Sequence, residues 1–116
     1  MVEVDPTKDL DGPVAAPDHH RVLFENDRVR VLQTLVPVGE IAPVHTHLTP
    51  HLLIVDSGSH FVRRDPTGAV MLDTRAADPP FVMPPYSVSD GVPIHTLENT
   101  GTDVIAVIAI ELKPQP

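Results

Sequence analysis

From Arg21 onward, apolar residues fall in short Val-, Ile- and Leu-rich runs separated by turn residues, and nowhere do they recur at helical spacing for three turns. The pattern predicts strands at 21–24, 28–36, 42–47, 51–56, 59–64, 69–73, 80–83, 93–99 and 103–112. The breaks carry turn chemistry: Asn26-Asp27, Val38-Gly39, Thr49-Pro50, Ser57-Gly58, Pro66-Thr67-Gly68, Asp78-Pro79-Pro80 and Thr100-Gly101. In the second run Val29, Val31, Gln33 and Leu35 alternate with Arg28, Arg30, Leu32 and Thr34, so one of the two sets points inward. Fourteen prolines, many at strand ends, suit edges and connections and would disrupt central helices. The fold class is read as all-β, a sandwich or barrel of nine short strands.

Residues 1–17 follow a different pattern, with Asp5, Asp9, Asp11 and three prolines and no apolar periodicity. They predict an irregular acidic N-terminal arm, placed at 1–19, ahead of a β-barrel domain at 20–116. At 116 residues the chain is long enough for one domain and too short for two. Its 41% apolar residues are concentrated in the strand runs, which argues against disorder.

Charge and composition narrow the function. A formal charge of −8, with no basic cluster larger than Arg63-Arg64, repels phosphate backbones and anionic lipid, so neither nucleic acid nor membrane is expected as a partner. With no cysteine there is no disulfide and no thiolate, and any metal must be held by nitrogen and oxygen. The start Met1-Val2-Glu3-Val4-Asp5 lacks a basic or apolar leader, and no apolar run is long enough to span a bilayer, which predicts a cytoplasmic protein. A small barrel must also protect its sheet edges, and the acidic arm suits clasping a second copy, so a homodimer is expected.

Histidine carries the chemistry. His45 and His47 are two apart, so on a strand their imidazoles project from one face and can converge on one ion. Pro50 turns the chain, letting His51 return a third ring from the next strand, and His95 can close the site from far downstream. Any one of these alone is better read as a hydrogen-bonded histidine on a half-buried face. The four together point to metal binding. His19 and His20, beside the arm, and His60, beside Phe61, are read as ordinary histidines.

These intervals resemble the cupin family. The first cupin motif is a glycine, five residues, His-x-His, three or four residues, a glutamate, six residues and a glycine; Gly39, His45, His47, His51 and Gly58 fall at those positions, with His51 where many cupins carry glutamate. The second motif ends in a histidine, three residues and an asparagine, matched by His95 and Asn99, while its proline-x-glycine element survives only loosely around Pro84-Pro85. The resemblance covers roughly residues 20–112 and implies a single cupin barrel, a jelly-roll or double-stranded β-helix. It implies one divalent transition metal (Fe, Mn, Ni, Cu or Zn) on His45, His47, His51 and His95.

Four neutral imidazoles leave the ion its double positive charge, which favours an anionic or enolisable substrate, and they leave positions open for substrate or dioxygen. Cupins with three or four histidines include small dioxygenases, so the resemblance favours a metal-dependent dioxygenase or other oxidoreductase acting on a small organic molecule. A non-redox isomerase or lyase, such as a dehydratase, and a small-ligand-binding or sensing module remain as alternatives. Tyr86, in the run Pro84-Pro85-Tyr86-Ser87, is the expected catalytic or substrate-orienting residue if that run caps the pocket, and a surface aromatic otherwise. Asp56, Glu98 and Asn99 are read as turn residues, and Phe24, Phe61, Phe81, Met71 and Met83 as core or pocket wall. There is no phosphate loop and no Gly-x-Ser-x-Gly elbow.

Overall fold

Two antiparallel sheets face one another in the computed structural model, which describes residues 10–115. The strands are β1 (His20–Glu25), β2 (Val29–Val36), β3 (Ile41–His47), β4 (His51–Ser57), β5 (Phe61–Arg64), β6 (Val70–Asp73), β7 (Tyr86–Ser89), β8 (Val92–Asn99) and β9 (Ile105–Leu112). One sheet has the order β1-β2-β9-β4-β7 and the other β3-β8-β5-β6. No helix among the described residues is long and apolar enough to cross a membrane.

One expected strand is displaced. Residues 80–83 make no ladder, and the strand begins instead at Tyr86. Pro79, Pro80, Pro84 and Pro85 have no amide hydrogen to donate, so a regular ladder starts only beyond the last of them. The intervening side chains still pack: Phe81 lies edge-on to Phe61 at 6.4 Å and Met83 rests on the core.

The inward set on β2 proves to be Leu32, Thr34 and Val36 together with Arg30. Leu32 and Val36 are fully buried, and Val36 joins Ala42, Phe61, Ile105 and Val107 in the core between the sheets. An inward arginine is tolerable because it is neutralised. Arg30 donates two hydrogen bonds to the Asp11 carboxylate, at 2.7 and 2.8 Å, and a third from Nε to the buried Glu111 of β9. Glu111 also accepts a hydrogen bond from the Thr49 hydroxyl.

This network ties down the N-terminal segment. The arm is expected to be irregular, yet its described part includes one helical turn, α1 (Gly12–Ala15), with Pro13 in the first turn, where a missing amide hydrogen costs nothing. Asp11 bridges to Thr46 beside β3, and Ala16 is completely buried, so residues 10–19 pack against the barrel. Asp5 and Asp9 lie outside the described residues. Two residues expected in the core or pocket wall are not there, Phe24 at 56% and Met71 at 41% exposed, whereas Phe81 lines a second pocket with His60 and Met83. A register shift between Val22 and Phe24 turns Phe24 to the outer face, and Met71 sits on edge strand β6.

At one end Asn99 acts as an internal brace. Its amide donates to the carbonyls of Val36 and Asp103 at 2.8 Å, while its side-chain oxygen accepts from the Ser59 hydroxyl and the Gly101 amide at 3.0 Å. Gly101 has to be glycine, since a Cβ there would lie 1.8 Å from Ser59 Oγ. The turn role expected of Asn99 is the one observed.

Candidate metal centre

The sheets converge on a cavity of about 110 Å³ that takes in His20, His45, His47, His51 and His95. β3 and β8 are neighbours, and His45 and His95 are direct cross-strand partners, which places their rings 4.3 Å apart. His47 follows on the same side, 4.9 Å from the His45 ring and 5.9 Å from that of His95. The opposite sheet contributes His51 from the start of β4, 6.3 Å from His47, and His20 from the start of β1, 4.5 Å from His45.

All four expected ligands therefore share one cavity, together with a fifth histidine read as ordinary from sequence. The tightest group among the described residues is His20, His45 and His47, whose ligand nitrogens all lie within 4.8 Å of one another. Metal–nitrogen bonds of about 2.1 Å need nitrogens some 3–4 Å apart, so small ring rotations bring this trio into range. His51 and His95 are outside that group but line the same space. Nothing in the residue intervals signals His20. It reaches the site because β1 pairs His20 with Thr34 on the inward face of β2, and because α1 lies on it. A Cβ on Gly12 would approach His47 Cε1 to 3.0 Å and His20 Cδ2 to 3.1 Å, so the helical turn fits closely only with glycine.

Hydrogen bonding fixes which nitrogen each ring presents. Nδ1 of His45 lies 2.6 Å from the Pro43 carbonyl, Nδ1 of His95 2.6 Å from that of Pro93, and Nδ1 of His51 3.0 Å from that of Thr49, each two residues earlier. Nδ1 of His20 lies 3.0 Å from the Ala16 carbonyl. A carbonyl can only accept, so each Nδ1 carries the proton and each neutral ring keeps its lone pair on Nε2. That is the arrangement of a metal-ligating histidine with an oriented outer nitrogen. Nε2 of His20 is buried with no partner among the described residues. Histidines outside the site are bonded differently: His60 to the Thr74 hydroxyl at 2.8 Å, His19 to Glu40 at 2.9 Å.

A short sequence echo underlies this geometry. Pro43-Val44-His45-Thr46 on β3 recurs as Pro93-Ile94-His95-Thr96 on β8, and both prolines fall at or beside register irregularities where no ladder amide is needed.

Burial favours the neutral form of His20, His45, His47 and His95. Desolvation, reinforced by neighbouring imidazoles, lowers His47 from 6.5 to about 2. Desolvation likewise takes His20 and His95 to about 4 and lowers His45. No carboxylate lines the cavity, whose other walls are mainly Leu53, Phe61, Met83, Leu97, Val107 and Ala109, with one cation, Arg63. The donor set fits a borderline divalent metal that favours imidazole. Tyr86 stands elsewhere. It begins β7 instead of sitting in a capping loop, pairs with Ile54, and is 69% exposed outside the cavity walls. Asp56 is exposed, and Glu98 pairs with Arg64 at 2.9 Å.

No protein-family model matches the chain, and no curated protein matches it in sequence. Solved structures do match in fold. A cupin domain from Bordetella pertussis Tohama I aligns with a TM-score of 0.63 and 16% identity, over 82% of this chain and 92% of that one. An RmlC-like cupin with a double-stranded β-helix from Methanocaldococcus jannaschii gives 0.56 and 12%, over 81% and 78%. The polyketide cyclase RemF from Streptomyces resistomycificus gives 0.52 and 17%, over 100% and 82%. With this topology and these likenesses, the described chain has the cupin fold, a small double-stranded β-helix barrel with a histidine-lined cavity.

Proposed function

We propose that the cavity holds one divalent transition metal (Fe, Mn, Ni, Cu or Zn) on His45 and His47, with His20, His51 and His95 available for the further positions, and that the protein is a metal-dependent oxidoreductase, most simply a dioxygenase, of a small organic substrate. One observation carries this reading: four rings that line one enclosed space commit Nδ1 to backbone carbonyls, which leaves Nε2 as the nitrogen each can offer to a metal. A bound ion there would polarise a substrate oxygen and leave positions open for dioxygen. The protein's own part is to hold the rings neutral, to fix their orientation through Pro43, Pro93, Thr49 and Ala16, and to wall off water with Leu53, Phe61 and Leu97.

Elemental analysis of untagged protein tests the first half: near-stoichiometric metal that falls in His45→Ala and His95→Ala supports it, and failure to bind any metal on reconstitution removes it. Oxygen consumption with a panel of small substrates tests the second. Anaerobic turnover would instead support an isomerase, lyase or cyclase, a reading compatible with the fold likeness to a polyketide cyclase. Saturable binding without product would support a sensing module.

A homodimer is a further proposal, supported by the outer face of the five-stranded sheet, where the register aligns Phe24, Val31, Ile110, Leu52 and Val88 in one apolar row. Light scattering at twice 12.6 kDa would support it, and a monomer at micromolar concentration would count against it.

A further inference from the structure

We infer that Arg63 is the anchor for a carboxylate on the substrate, so that the cavity accepts small organic acids. The inference rests on the proposed function for the substrate's location and goes beyond it in naming the substrate class.

Arg63 faces inward from β5, beside Phe61, and lines the same cavity as the histidines. Its situation is unlike that of Arg30 and Arg64, the other two arginines that are not exposed. Arg30 is held by two carboxylates and Arg64 by Glu98. Among the described residues Arg63 has no hydrogen bond and no ion pair, and its Nε is buried without a partner. The contact that remains is with the Phe61 ring, whose centroid lies 5.5 Å from the guanidinium carbon. Phe61 is itself in the core, so it positions the guanidinium without neutralising it.

A cation partly withdrawn from water with no anion is costly, and folding tolerates it where a ligand supplies the missing charge. Burial, with no carboxylate to oppose it, holds the guanidinium below its ordinary value while leaving it charged. Arg63 shares the cavity with His45 and His95, and its charge disfavours their protonation. The cavity thus combines a positive fork, neutral imidazoles, apolar walls and no carboxylate. A planar anion that accepts two parallel N–H bonds matches the fork. The mainly apolar walls and the small volume favour a carboxylate over a more heavily hydrated phosphate. A substrate seated on Arg63 turns its remaining functional group toward the histidines.

Binding of malonate is measured by calorimetry and thermal shift on protein stripped by chelator and then dialysed free of it, which separates the arginine from direct chelation by a metal; malonamide serves as the neutral analogue and inorganic phosphate as the competing anion. The expected result is saturable malonate binding, none with malonamide, and weaker phosphate binding. Arg63→Met should weaken malonate at least about tenfold, Arg63→Lys should restore part of it, and Arg64→Met should leave it unchanged. Metal content of Arg63→Met should equal that of the parent, which also shows that the variant is folded. Equal malonate affinity in the parent and Arg63→Met, no difference between malonate and malonamide, or tighter phosphate than malonate would each overturn the proposal. Loss of metal in the parent itself would instead overturn the metal reading and leave the carboxylate test standing.

Discussion

The two polar clusters inside this barrel are only four residues apart along β8, yet they are built in opposite ways. Around Asn99, 1% exposed, both the amide and the side-chain oxygen are fully engaged by Val36, Asp103, Ser59 and Gly101. Around His95 the outer nitrogens are engaged and the inner ones are not: Nδ1 is spent on a carbonyl, while Nε2 of His20 and Nε of Arg63 lack partners. Saturated polar groups brace a fold, and polar groups left unsatisfied on one side of a cavity wait for a ligand. The cost of the second cluster is met where polar atoms close on themselves, at Asn99 and in the network of Asp11, Arg30, Glu111 and Thr49.

That contrast can be broken most directly at its structural pole. Asn99→Ala removes four hydrogen bonds and leaves buried partners unsatisfied, so we expect a loss of about 4 kcal/mol in chemical denaturation. Metal bound per folded molecule should not change.

The next effect is one of pH on metal-free protein. Folding holds His20 and His95 neutral down to about 4, whereas the unfolded chain takes up protons near 6.5, so the unfolded state binds more protons between these values. Their contribution is fully present above 6.5 and is lost as pH falls toward about 4, amounting to at most about 3 kcal/mol for each ring. His20→Gln and His95→Gln should flatten the fall in urea midpoint across that window, and an unchanged slope would show that the rings are not held neutral.

At the functional pole, His45→Ala should cost at least about a hundredfold in metal affinity, measured by competition with a chelator, while the metal-free variant keeps its unfolding free energy within about 1 kcal/mol. His20→Ala sharpens the comparison, because a loss of comparable size would make His20 a ligand and a loss below about threefold would leave it as a neighbour. The smallest effect belongs to Tyr86. With its side chain on the outer face, Tyr86→Phe should alter stability by less than about 0.5 kcal/mol and leave metal content as it was.

Much of this was legible in the chain. Strand period and turn residues were sufficient for an all-β fold, because they are local properties, while the resemblance of the intervals joining Gly39, His45, His47, His51 and Gly58, then His95 and Asn99, to the cupin motifs implied the four histidines in one cavity. The strand expected at 80–83 failed on a local rule as well, the missing amides of four prolines, which outweighed its apolar pattern. Other features depended on what lies across the barrel. Whether Arg30 or Val31 faces inward is undecided by alternation alone, and it was settled by Asp11 and Glu111, which arrive from distant segments to neutralise the arginine. His20 looked ordinary because it has no ligand-like interval to its neighbours, and only the pairing of β1 with β2, with Gly12 packed on top, sets it 4.5 Å from His45. Arg63 and Arg64 are indistinguishable in sequence, and the pleat of β5 gives one a carboxylate partner and leaves the other facing the cavity. Local pattern along the chain is enough for most of the strands and for the histidine intervals. Which polar groups are satisfied is a property of the folded barrel, because it depends on the groups that distant strands bring within reach.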